Sequence, residues 1–142
     1  MIGYCASQHN SLFLFSVKRP FSFPKSQRLK NPLSISILFQ SGDNVFSYPV
    51  KMVFSFEADP VCHPSFKAAV SVPKKSFKKA VDRNRLKRHM REAIRLNQSL
   101  IPVREGHTLR FIIIYAAREV LPAQQIHKAV RYLFEKLNKD EN

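Results

Sequence analysis

The sequence predicts an α+β fold, a two-layer sandwich in which a mixed sheet of about four strands packs with three helices. Three observations carry this. Leu86–Ile94 and Ile126–Leu137 place apolar residues on one face at helical spacing. Residues 109–116 (LRFIIIYA) form a continuous apolar run, as expected of a central strand buried on both faces. Between Val45 and Val72 the chain reads as extended, broken by turn residues. The resulting order of helix, three strands, helix, strand, helix suits an α+β sandwich.

Met1 to Pro20 has no clear period and is predicted to be a disordered extension, with the folded domain spanning 21–142. Its apolar stretch Ser11–Val17 is followed, not preceded, by Lys18-Arg19 and lacks a small-residue cleavage site, a poor fit to a secretory signal. Asn31-Pro32 signals helix entry, an Asn cap before a Pro in the first turn. That helix runs to about Ser41, and Gly42 ends it. Val45–Phe56 is extended, with Val50, Met52, Phe54 and Phe56 on one face and Pro49 dividing a short strand from a longer one. After a loop around Asp59-Pro60 and His63-Pro64, Ser65–Val72 forms the next strand, expected to pair with the longer one as an antiparallel hairpin. A helix starting near Ser76 or Asp82 ends at Asn97. The last helix, entered at Leu121-Pro122, spans Ala123 to about Leu137, and the polar tail Asn138–Asn142 is expected to fray.

The chain carries 24 Lys and Arg against 10 Asp and Glu, net +14 over 142 residues, which makes a polyanion the first partner to consider. The excess is concentrated. Lys74 to Arg95 holds ten basic and two acidic side chains, net +8. Placed at about 100° per residue from Asn84, Leu86, Met90, Ala93 and Ile94 share one side of a helix. Asn84, Arg88, Arg91 and Arg95 form a ridge opposite, with Lys87 and Arg85 on its flanks. Arg83 would fall on the apolar side, so it belongs at or before the first turn, where it can swing outward. A merely solvated face would offset like charges at i+3 and i+4 with acids, but only Asp82 and Glu92 are present. Guanidinium forks grip phosphate oxygens bidentately. A membrane surface would need large exposed apolar residues beside the charge, so nucleic acid is favoured, and RNA read through its backbone suits a rigid cationic ridge.

Other chemistries find little support. Cys5 and Cys62 are too few for a disulfide scaffold or a four-thiolate zinc site. His9, His63, His89, His107 and His127 lack metal-ligand spacing, and three Gly in the whole chain could hardly build a phosphate loop. No apolar run approaches the roughly 20 residues of a membrane-spanning helix.

The segment Lys74-Lys75-Ser76-Phe77-Lys78-Lys79-Ala80-Val81-Asp82-Arg83-Asn84-Arg85-Leu86-Lys87-Arg88-His89-Met90-Arg91-Glu92-Ala93 resembles the signature of the bacterial ribonuclease P protein component. The pattern is K-K-x(4)-A-V-x-R-N-R-x-K-R-x-x-R-E-A. The resemblance extends upstream through Phe23–Lys30 and Leu38-Phe39 with Gly42, and downstream through Phe111–Arg118, covering about residues 21–137. It implies a ribosomal protein S5 domain 2-like fold with a left-handed crossover. It further implies a holoenzyme subunit of an endoribonuclease whose RNA performs the chemistry, releasing the 5′ leader of precursor tRNA with Mg²⁺ held mainly by the RNA. The implied partners are ribonuclease P RNA and precursor tRNA, in a 1:1 protein–RNA complex, with no membrane and a cytoplasmic location. The RNA-binding set is then Lys74, Lys75, Lys78, Lys79, Arg83, Asn84, Arg85, Lys87, Arg88, Arg91 and Arg95. A cleft between the first helix and the sheet would bind the leader, and by position Ile35, Phe39, Val50, Met52 and Phe54 would line it. Where the family often has an aromatic, this chain has Ile35, which leaves Phe39 as the stronger stacking candidate. No catalytic residue and no protein metal ligand is expected. Two rival readings are a ribosomal protein using the same basic helix structurally and an autonomous nuclease.

Overall fold

Asn31 opens the first helix of the computed structural model, which describes residues 27–58 and 66–141. Its side-chain oxygen accepts the Leu33 N–H at 3.0 Å, and Pro32, which has no N–H to satisfy, takes the first helical position. This helix, α1, spans Pro32–Ser41. Gly42 stops it with an extended backbone (φ −77°, ψ 155°), so close approach, not a left-handed turn, is what requires glycine. A Cβ there would meet the Leu38 carbonyl oxygen at 2.4 Å and Val53 Cγ1 at 2.9 Å. The residues given to a disordered extension lie outside the described residues.

β1 (Asp43–Ser47) and β2 (Val50–Ala58) form an antiparallel hairpin turned at Tyr48-Pro49, whose peptide bond is cis. β3 (Phe66–Ser71) precedes α2 (Ala80–Leu96), a short 3₁₀ turn (Gln98–Leu100), β4 (His107–Tyr115) and α3 (Ala123–Glu141). The sheet order is β1-β2-β4-β3, with β2 antiparallel and β3 parallel to β4. The expected β2–β3 hairpin is therefore wrong. β4 is nearly all buried and needs a neighbour on each edge for its backbone groups, so it takes the place between them. The frayed tail is corrected as well. α3 continues to Glu141, and the Asn138 side-chain N–H donates to the Leu100 carbonyl at 2.6 Å.

The two faces of the sheet are covered unequally. On one, Val50, Met52, Phe66, Ala68, Leu109, Phe111, Ile113 and Tyr115 meet Leu86, Met90, Ala93 and Ile94 of α2 and Ile126, Val130, Leu133, Phe134 and Leu137 of α3. Phe111 stacks on Phe66 (6.0 Å between centroids) and meets Phe134 edge-on at 5.6 Å. Each large side chain buried here contributes about 1.5–3 kcal/mol. On the other face α1 covers only part of the sheet, where Leu38 packs with Leu29, Val53 and Ile112. Among the described residues the α+β sandwich of four strands and three helices stands, with α1 as a partial third layer.

Candidate nucleic-acid interface

α2 crosses from β3 to β4 with its apolar side fully buried, so its opposite side must face outward. Asn84, Arg88 and Arg91 are exposed there. Together with Arg95, Glu92 and Arg28 they line a concavity of about 400 Å³. Arg28 was not among the expected site residues. Its backbone bridges to Ala68 of β3, which brings a cation from 56 positions upstream of Asn84 to the ridge. Only its place within the upstream resemblance hinted at this.

Two of the expected RNA-binding cations are engaged within the protein. Arg95 grips the Glu92 carboxylate, Nε to Oε2 at 3.0 Å and the second guanidinium nitrogen to Oε1, and this pairing holds Glu92 below its ordinary pKa. Arg83 does lie in the first turn, but its guanidinium reaches back: Nη1 donates to the carbonyls of Phe77 at 2.8 Å and Lys78 at 2.9 Å. Those carbonyls belong to the loop that presents Lys74, Lys75, Lys78 and Lys79, all exposed around the buried Phe77. Lys87 is half-buried, and Arg85 is exposed on the side of the helix that carries His89. His89 has its pKa pushed down by burial and then by His127, Arg85 and Arg88. Chemically, the ridge and loop can accept several phosphates along a rigid surface, with geometry set by the α2 backbone.

The expected cleft residues divide. Val50 and Met52 have no solvent exposure and Phe54 packs beside them, all on the α2–α3 face. The alternation was read correctly, but that face of β2 is filled by the core and is not available to a cleft under α1. The face under α1 carries the intervening residues. Strand register aligns Phe46, Lys51, Ile114 and Ser71 as one row across all four strands. Asn44, Val53, Ile112 and Ala69 form the next, and Ser55, Arg110 and Lys67 a third. α1 lies over the second row, and Ser34 Oγ accepts from Arg110 of the third at 3.1 Å, beside the Arg110–Glu57 ion pair at 3.0 Å. Ile35 and Phe39 lie about 100° and 140° around the helix from Ser34, toward the first row. Ile35 and Ile114 both pack at the edge of the same cluster. The first row is only partly covered, with Lys51, Ser71 and Ile114 half-buried and Phe46 55% exposed; Phe39 of α1 is 52% exposed, so neither Phe is an ordinary core residue.

Among the described residues no three His, Cys, Asp or Glu side chains come together as metal ligands, and no helix is long and apolar enough to cross a membrane. Cys5, Cys62, His9 and His63 lie outside those residues.

Residues 23–138 match the Ribonuclease P family. A ribonuclease P protein component of Porphyromonas gingivalis is 40% identical over 82 residues, covering 57% of this chain but only 58% of that relative's length. One from Idiomarina loihiensis is 31% identical over 124 residues, covering 85% of this chain and 91% of the relative. The fold is shared with the RNase P protein of Staphylococcus aureus (TM-score 0.63, 23% identity, 83% of this chain and all of that one). It is shared also with that of Thermotoga maritima (TM-score 0.64, 20% identity, 77% of this chain and 96% of that one). With the family match spanning residues 23–138 and a relative 31% identical over most of both chains, this chain belongs to the bacterial ribonuclease P protein component family.

Proposed function

We propose that this protein is the protein subunit of ribonuclease P, binding the catalytic RNA and the 5′ leader of precursor tRNA so that the leader is removed hydrolytically. The observation that carries the reading is the convergence of Arg28, Asn84, Arg88 and Arg91 on one concavity in a chain of this family. The ridge and lysine loop lie on the RNA backbone and neutralise its phosphates. The leader lies along the partly covered row between α1 and the sheet, with Phe39 and Phe46 offering faces on which bases stack and Lys51 meeting a phosphate. These replace Val50, Met52 and Phe54 in the cleft.

The cationic surface acts on the reaction by lowering repulsion between substrate and ribozyme phosphates, which reduces the divalent ion needed to hold them together. Among the described residues no three His, Cys, Asp or Glu side chains come together, and the surroundings of the ridge are cationic and repel a divalent cation. On this reading Mg²⁺ is held by the RNA, the complex is 1:1, and it works in the cytoplasm.

The deciding experiment adds purified protein to ribonuclease P RNA and precursor tRNA at low Mg²⁺. Cleavage at the mature 5′ end should appear at Mg²⁺ concentrations where the RNA alone is inactive. Cleavage by protein without RNA would replace this reading with an autonomous nuclease. Indifference of the ribozyme to added protein would leave the basic helix to another RNA partner.

A further inference from the structure

On this cationic surface the Arg83 guanidinium is directed at the protein's own backbone. The segment Pro73–Lys79 contains no helix or strand of its own, yet it carries four lysines. Five contacts fix it. Phe77 is buried and meets Tyr115 edge-on at 5.6 Å, and its N–H donates to the Pro73 carbonyl at 3.2 Å. The Arg83 N–H donates to the Lys79 carbonyl at 3.3 Å as the first bond of α2. The Arg83 side chain then closes the loop over two consecutive carbonyls, those of Phe77 and Lys78. The N-cap of α2 is Lys79, which has no side-chain acceptor to hold this end of the helix. A guanidinium tied to the loop carbonyls supplies the missing tether from the other side.

We propose that Arg83 is a positioning residue: it acts on RNA through the lysine loop, holding Lys78 and Lys79 in register with the α2 ridge. Arg83 sets the conformation from which the lysines reach phosphate. The inference rests on the RNA-binding reading above for its functional half, while its structural half can be measured without RNA.

The first measurement is limited trypsin cleavage of the RNA-free full chain, with the earliest cuts mapped by mass. Arg83→Ala should speed cleavage after Lys78 and Lys79 several-fold while the melting transition stays cooperative. Arg83→Gln, whose amide can still donate to one carbonyl, should give an intermediate rate. It also serves if the alanine variant does not fold. The second measurement is a cycle of affinities for ribonuclease P RNA. Arg83→Ala should weaken binding several-fold in the natural chain, but by less than about twofold when Lys78 and Lys79 are already alanine. An equal loss in both backgrounds would make Arg83 a direct phosphate contact and overturn the proposal, as would unchanged loop cleavage in both variants. If the natural chain binds no RNA, the functional reading fails, and the cleavage rates alone decide whether Arg83 holds the loop.

Discussion

Arg88 and Arg91 are exposed and line the concavity with Arg28, and among the described residues neither makes internal tethers like those that occupy Arg83 and Arg95. Each is therefore expected to release counterions on binding. Arg88→Ala and Arg91→Ala should each weaken RNA binding and lower the log–log salt slope by roughly 0.7–0.9 per lost phosphate contact. Titration of affinity against salt checks this, and an unchanged slope in both variants would remove them from the interface. His89 belongs to the same helix but answers to pH. Its Nδ1 is buried with no hydrogen-bond partner among the described residues, and its pKa lies below the ordinary 6.5 because of burial and then the neighbouring His127, Arg85 and Arg88. The unfolded chain thus takes up a proton here before the folded one does. Stability is fully present above about pH 6.5 and declines as pH falls below it. His89→Gln should flatten the stability profile below about pH 6.5, measured by denaturant unfolding at each pH. At Gly42 the constraint is space: Gly42→Ala forces the new methyl against Leu38 and Val53 and should cost about 1–3 kcal/mol, read as a lower melting temperature.

Strand β2 separates the two uses of the sheet within alternate residues. Met52→Ala should cost about 2–5 kcal/mol because it opens a hole against α2 and α3. Lys51→Ala, one position away, should leave the melting temperature within a degree or two and weaken binding only of substrates that carry a leader. Equal behaviour of the two variants would contradict the facing described here. The alternation along β2 was legible in the sequence because it is a property of the strand itself. Which helix lies over which face was not, since that depends on where the α2 crossover returns the chain. The same distinction explains the strand order. Pro49, Pro73 and the β4 apolar run marked the strand limits to within a residue or two, whereas pairing β2 with β3 followed only their adjacency in sequence. For the basic helix nearly everything was local: face, ridge and signature all lay within the 22 residues from Lys74 to Arg95. Arg28 and the inward reach of Arg83 were invisible because each depends on a contact made by folding. The last turn of α3 escaped for a related reason, since Asn138 is polar by composition and held by Leu100, 38 positions away.

At the scale of the molecule, net +14 on a chain of 142 residues opposes compaction, and the concentration of that charge around one helix makes the repulsion local. Sulfate should therefore raise the melting temperature more than chloride at matched ionic strength, because a divalent anion can sit between ridge guanidiniums. Arg88→Ala should shrink that difference. Equal response to both salts would mean that general screening is sufficient. A different consequence comes from the place of β4 in the sheet. The strand that joins β2 to β3 is the last of the four to be synthesised. Until residues 107–115 leave the ribosome, the hairpin and β3 have no shared neighbour, and α2 has no completed surface on which to bury Leu86, Met90 and Ile94. The polycationic helix is thus made before the scaffold that shapes it, in the presence of ribosomal RNA. Its conversion from an indiscriminate cationic segment into an ordered ridge waits on the synthesis of β4.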